Sequence, residues 1–389
     1  MRTTTSDQGG HVVDRVPAEV FSPGEYLREE LEARNWTQVE FAEIIGRPPR
    51  LVNEIIAGKR GITAATAKEI GAALGTSALF WLNLEAAYQL GRGEPAPARI
   101  SQEARLRERY PVREMLKRGW IDAGSSAENL ETNLLRFLQK DSLDDPPRLA
   151  HAARKTDYAV ESPVQEAWIC RVHQIARAMQ TRPYSPKALK AAIATLRNHM
   201  LEPEGVREVP RILAKAGVQF VVVEALPGSK IDGACLWLDT PTATPVVGMS
   251  LRFDRIDNFW FVLRHELEHV LNRDGQESPI IDSDIGEATQ EVLGAKILPA
   301  DEIAANDEAA EFMVSSADLT DFLDRVPPAY WENRVPGFAS TINVHPGIVV
   351  GRLQRRTGQY NILRRHLVKI RHHIVPESMC DGFGQMCPV

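Results

Sequence analysis

The chain has 389 residues, too many for one small module and enough for two or three domains. Charged residues make up 25% and hydrophobic ones 43%, a balance that excludes disordered and fibrous classes, and no apolar run approaches the ~18–20 residues a bilayer span needs. The net charge of −6 argues against wholesale coating of nucleic acid, so any such contact has to be local.

Residues 1–14 are polar and lack the apolar core of a signal peptide, which predicts a cytoplasmic protein with a flexible leader over 1–20. Cys170, Cys235, Cys380 and Cys387 share no metal-ligand spacing and read as reduced thiols. From residue 23 to about 90, short amphipathic helical patterns alternate with glycine turns. The stretch from Thr37 to Gly46 predicts a helix with a Thr cap and a Gly stop. A second helix follows from about Pro48 to Ile56 and ends at Gly58. Ala42, Ile45, Val52 and Ile55 fall where two helices crossing at a tight turn share a core, so the start of the second helix is left to enter a major groove. Gln38, Arg47, Arg50 and Asn53 are the candidate base contacts, because Arg pairs bidentately with guanine and Asn or Gln with adenine. Lys59 and Arg60 are the candidate phosphate contacts. A double-stranded DNA operator is the expected partner of residues 21–90, and paired half-sites imply a homodimer.

Gly91-Arg92-Gly93-Glu94-Pro95-Ala96-Pro97 interrupts any helix, and 91–99 reads as a linker. Residues 100–204 carry helical patterns and are predicted to be a helical middle region. Within it, 163–179 is periodic, and Ser185-Pro186 is a helix start. The texture changes after Gly217: 218–223, 233–239 and 245–249 predict strands, and 254–271 predicts a helix. That order describes an α+β domain, placed here over 205–375. Between residues 352 and 373 lie seven Arg or Lys, three His and no acid, a basic face near the end; 376–389 reads as a tail.

The predicted helix at 254–271 carries His265-Glu266-Leu267-Glu268-His269. Histidines four apart project from one helical face. Two imidazoles and an adjacent Glu are what a zinc-dependent hydrolase uses, the metal activating a water and Glu266 taking its proton as general base. Buried histidines are costly without such a partner. His345 reads as a cap before the buried run Ile348-Val349-Val350, and His366, His372 and His373 lack nearby ligand partners in sequence.

Two resemblances add to this reading. Pro23-Gly24-Glu25, Thr37-Gln38, Gly58-Lys59-Arg60-Gly61-Ile62-Thr63, Leu74-Gly75-Thr76-Ser77 and Phe80-Trp81-Leu82-Asn83-Leu84 resemble the XRE, or Cro/repressor-like, family in its HigA-type antitoxin branch. Pro48-Pro49 departs from it at the turn. Lys230-Ile231-Asp232-Gly233-Ala234, the run from Met249 to Phe261, the HExxH and Val344-His345-Pro346-Gly347 through Gln354 resemble the ImmA/IrrE metallopeptidase family. The resemblance implies a zincin-like domain with Zn2+ held by His265, His269 and a later Glu: Glu308, in Glu308-Ala309-Ala310-Glu311-Phe312, or the alternative Glu287, ahead of Ile297-Leu298-Pro299. It further implies a DNA-binding regulator with a zinc endopeptidase acting on a repressor or partner protein. The alternative is a HigA-like antitoxin or autoregulator, bound to a cognate toxin, whose C-terminal domain is a non-catalytic sensor. The expected architecture is therefore multidomain: an all-α helix-turn-helix domain, a helical middle region and an α+β zincin-like domain.

Overall fold

The computed structural model describes residues 21–122, 124, 127–146, 162–239, 243–283, 285 and 299–387. The expected leader at 1–20 and Glu287 lie outside the described residues. The chain divides into two units, Met1–Pro97 and Ala98–Val389.

Among its described residues the first unit has five helices, α1 (Pro23–Ala33), α2 (Gln38–Ile44), α3 (Pro49–Ile56), α4 (Ala64–Leu74) and α5 (Ala78–Arg92). Hydroxyl caps start most of them. Ser22, Thr37, Thr63 and Ser77 each accept from the backbone N–H three residues on, which satisfies donors that a helix start leaves free. At α2 the cap is a full capping box, since Glu40 reaches back to the Thr37 N–H at 2.7 Å. α3 begins instead on Pro48 and Pro49, with no side-chain cap. Gly46 makes the turn between α2 and α3 at φ 66°, a conformation that only glycine adopts freely. Leu27, Phe41, Ala42, Val52, Ile55, Ile70 and Trp81 fill the core, with Ile45 at its margin. α1 approaches α3 so closely that a β-carbon on Gly24 would stand 2.2 Å from the Ile55 carbonyl oxygen.

The second unit opens with helices α6 (Ala98–Arg109), α7 (Val112–Lys117), α8 (Ala127–Leu138), α9 (Pro163–Ala178), α10 (Pro186–Arg197) and α11 (Val209–Lys215). Strands β1 (Gln219–Val223), β2 (Ile231–Leu238) and β3 (Thr244–Met249) follow, then α12 (Ile256–Asn272) and β4 (Ile280–Ser283). It ends with α13 (Ala300–Met313), α14 (Ser316–Arg325), α15 (Trp331–Thr341), α16 (Pro346–Thr357), α17 (Arg371–Ile374) and β5 (Met379–Asp381). The sheet runs β4-β2-β3-β1-β5 and is mixed: β1 is parallel to β3 and β5, while β2 is antiparallel to β3 and β4. Both faces are covered, so β1 is buried at every residue, which is why its sequence is an unbroken apolar run rather than an alternating one. Val221, Val223, Ala234 and Leu236 join the core with α8 and α9. Phe220, Val222, Cys235 and Val247 join the core with α10, α11 and α12.

The residues expected as a separate middle region do not form one. α9 packs directly on the sheet: Trp168 is fully buried and donates its indole N–H to the Val223 carbonyl at 3.0 Å. A β-carbon on Gly248 would meet Val172 at 2.9 Å, so the helix needs a glycine beneath it. The expected tail is likewise structural, since β5 adds to the sheet beside β1 and Asp381 takes the guanidinium of Arg171 on α9. Among the described residues no disulfide joins the cysteines, and no helix is long and apolar enough to cross a membrane.

Trp168→Ala removes a fully buried side chain of α9 and its hydrogen bond to the Val223 carbonyl. The loss expected is about 3–5 kcal/mol of unfolding free energy, measured by denaturant titration of the full chain.

Candidate functional site

α12 is buried along almost its whole length, because Phe259, Trp260, Phe261, Val262 and Leu263 give it apolar residues on every side. His265, Glu266 and His269 are therefore carried into the interior with no exposure. A helix sequence this apolar drags its polar residues in with it, and they must find partners there.

The partners are carboxylates from two later elements. Asp282 on β4 places Oδ2 3.3 Å from His265 Nε2 and 3.9 Å from His269 Nε2. Glu302 in the first turn of α13 places its two oxygens 3.3 and 3.2 Å from the same two nitrogens. The Nε2 atoms lie 3.1 Å apart, so both rings aim at one point. One donor atom from each of these four buried residues fits within a span of 4.8 Å. His269 Nδ1 stands 3.1 Å from Asp274 Oδ2, a contact that sets the ring's tautomer and leaves the Nε2 lone pair for the shared point.

Glu266 faces a different neighbour. Its carboxylate lies over Gly233 of β2, where a β-carbon would come within 2.1 Å of Oε1. β2 and β4 are out of step here: Ile231 pairs with Ser283 but Gly233 with Asp282. This bulge sets Gly233 beneath Glu266 and Asp282 beside the histidines. Glu266 Oε1 and Oε2 are buried without a hydrogen-bond partner among the described residues, whereas Asp282 Oδ2 and Glu302 Oε1 face the imidazole nitrogens.

The titrations follow from that crowding. Burial pushes Glu266 well above the usual carboxylate range, and Asp282 and Glu302 push it further. Burial would lower His265, but Asp282 and Glu302 more than offset it and raise the ring to about 9. Burial likewise opposes ionisation of Glu302, yet the two histidines bring it down to about 2. A proton on Glu266, an imidazolium or a cation at the centre would each relieve that crowding.

The structure thus brings together His265, His269 and Glu266, as expected, but not Glu308. Glu308 is over half exposed and bonds Arg264 at 2.8 Å. Glu302, six residues earlier, is the α13 carboxylate that reaches the histidines, because six residues turn a helix by roughly 240°. Glu268 turns away and pairs with Arg264 at 2.8 Å. His345 caps α16, its Nδ1 accepting from Gly347 N–H at 3.0 Å. Asp282 carried no motif, and its sequence signal was only an acid after the apolar pair Ile280-Ile281.

In the first unit, Gln38, Arg50, Asn53, Lys59 and Arg60 are all exposed. Arg50 and Arg60 share Glu54, each at 2.8 Å, surface pairs that exchange readily for other partners. Arg47 is different: two parallel bonds of 2.9 and 2.7 Å commit its guanidinium to Glu69 on α4, so it braces the fold instead of standing free on α3.

Residues 27–81 match the helix-turn-helix family model. A curated relative, virulence-associated protein I of Dichelobacter nodosus, is 40% identical over 73 residues, 18% of this chain and 68% of that protein. An addiction-module antidote protein of the HigA family from Coxiella burnetii is 31% identical and covers 20% of this chain and 98% of its own, with a TM-score of 0.18. A Pseudomonas aeruginosa protein solved with its 28-bp operator DNA is 35% identical, covering 19% of this chain and 81% of its own at a TM-score of 0.19.

Proposed function

The chain belongs to the XRE helix-turn-helix family through its residues 27–81, and from that premise we propose that it is a DNA-binding transcriptional regulator whose larger unit is a zinc-dependent, ImmA/IrrE-like endopeptidase acting on a repressor or partner protein. The first half of the reading is supported by α3, whose outer face offers Arg50 and Asn53 beside Gln38 of α2, the side-chain types that read base edges in a major groove. Lys59 and Arg60 extend that face towards phosphate. Leu79, Phe80 and Leu90 leave apolar surface on α5, which fits a homodimer reading paired half-sites.

The observation that carries the second half is the donor set of His265, His269, Glu302 and Asp282. Zinc bonds nitrogen and oxygen at about 2.0–2.2 Å in a tetrahedron, so its ligand atoms stand roughly 3.3–3.6 Å apart. The separations of 3.1 to 3.3 Å among His265, His269 and Glu302 suit that ion, and the orphaned carboxylate oxygens supply the negative charge to hold it. Bound there, zinc polarises a carbonyl and lowers the pKa of water to about 7. Glu266 is the group that takes up a proton. Its buried carboxylate has a raised proton affinity, which suits a general base at neutral pH, and Gly233 leaves it the room to sit there. Asp274 holds His269 in the ligating tautomer.

A second reading has one observation in its favour. Asp282 gives the centre a fourth protein donor, as a structural metal site would have. The chain is then a HigA-like antitoxin or autoregulator with a non-catalytic C-terminal unit.

Elemental analysis of the full chain should find about one zinc per chain, lost in His265→Ala and Glu302→Ala and kept in Glu308→Ala. Zinc kept in Glu302→Ala but lost in Glu287→Ala would transfer the third ligand to Glu287, and no zinc in protein purified without chelator would overturn the metal reading. Glu266→Gln separates the two functions: it should abolish cleavage of a partner repressor under the first reading and leave every function intact under the second. On operator DNA, Asn53→Ala or Arg50→Ala should cost about 1–3 kcal/mol of sequence discrimination, measured by mobility shift against competitor. Arg47→Ala should instead lower the melting temperature of the first unit with little change in that discrimination.

A further inference from the structure

The position of Asp282 carries an inference beyond the presence of a metal. A hydrolytic zinc centre has three protein ligands and leaves its fourth position to solvent or substrate, whereas a centre with four protein ligands is closed. Here Asp282 reaches the same point as the two histidines. Its Oδ2 is 3.3 Å from His265 Nε2, the same separation that Glu302 keeps from that nitrogen. The residue is 5% exposed, and Oδ2 is turned towards the Nε2 atoms of both histidines. A carboxylate oxygen buried to that degree between two imidazoles, with Glu302 in the same cluster, is placed as a ligand atom for a cation.

Asp282 is carried by a shorter and less regular element than the other donors. His265 and His269 are fixed by the burial of α12, whereas β4 is a four-residue strand that among the described residues pairs with β2, is out of step with it at Gly233, and takes one side-chain hydrogen bond from Gln165 of α9 at Ser283. Edge strands are held on one side only and open first.

We propose that Asp282 is the fourth protein ligand of the metal and holds the centre closed, and that withdrawal of β4 is what opens it to an outside ligand. The proposal rests on the reading of this cluster as a metal site. Cobalt(II) tests both separately, because its visible absorption reports the ligands around it. In the full chain loaded with cobalt(II), acetohydroxamate should leave the wild-type absorption unchanged, while in Asp282→Ala it should shift the band. The same substitution should weaken cobalt binding by at least about tenfold, with the metal still bound at saturation. Asp282→Asn keeps the shape of the strand and should move in the same direction; it decides the matter if the alanine variant fails to fold by circular dichroism. Equal hydroxamate shifts in wild type and variants, with unchanged cobalt affinity, would overturn the role of Asp282 and leave the metal reading standing. A wild-type chain that takes up no cobalt would overturn the metal reading itself, and the proposal with it.

Discussion

The second unit depends on burying like charge. α12 carries His265, Glu266 and His269 to zero exposure, and Asp282 and Glu302 are brought to meet them almost as deeply. Carboxylates at such distances raise one another's proton affinity, and burial amplifies the effect. Protonation of Glu266 or a central positive charge relieves the repulsion, and the surroundings hold the groups in place. Gly233 gives Glu266 room, Asp274 orients His269, and Arg264 ties α12 to α13 through Glu308. α16 closes the arrangement from behind, since Gly351 lies so close to Asp257 that a β-carbon there would meet its carboxylate at 2.3 Å.

The first unit was largely legible in the sequence because its signals are local. A hydroxyl and an acid three residues apart at Thr37 and Glu40 specify a helix start within one turn, and Gly46 specifies the bend that follows. β1 and β3 were legible for a similar reason: Val221, Val222 and Val223 or Val246 and Val247 need no distant partner to favour extended chain. α9 was read as a helix but not placed. Its Glu166 and Arg171 look like a solvent face, yet both are buried against Lys140 and Asp381. The partner of Arg171 is 210 residues away in sequence, and no periodicity reports a pairing of that range. The same distance hid β5, three residues that become a strand only because β1 offers an edge.

At the site the pattern repeats. The i, i+4 histidines and the Glu beside His265 are fixed by helical geometry alone, so the motif states their shared face. The third carboxylate is a tertiary matter. Glu308 stands on the correct helix and does contact α12, but on the face of Arg264, one residue and about 100° away from His265. Arg47 shows the converse in the first unit. Its type and place suit a groove contact, and only the tertiary position of Glu69 reveals that its guanidinium is already engaged.

Which donors can move follows from how each is held. Residues on α12 can leave only if the helix leaves the core, because Trp260, Val262 and Leu267 are buried on the same element. Glu302 sits in the first turn of α13, after a Pro299 cap that makes no side-chain hydrogen bond, so it is held less firmly than the histidines but still by a helix. Asp282 is held by the short ladder between β4 and β2, interrupted at the bulge. A bulge strengthens local twist and removes a regular pairing, which weakens the strand at the residue nearest the charge cluster. The order of release is therefore Asp282 before Glu302 before the histidines, and the electrostatic cost runs the same way. Losing one carboxylate from a cluster of three relieves repulsion, whereas losing an imidazole removes a group that balances it. Under the proposed metal reading, packing and charge both favour the sheet edge, and not the helix that bears the motif, as the place where the centre changes state.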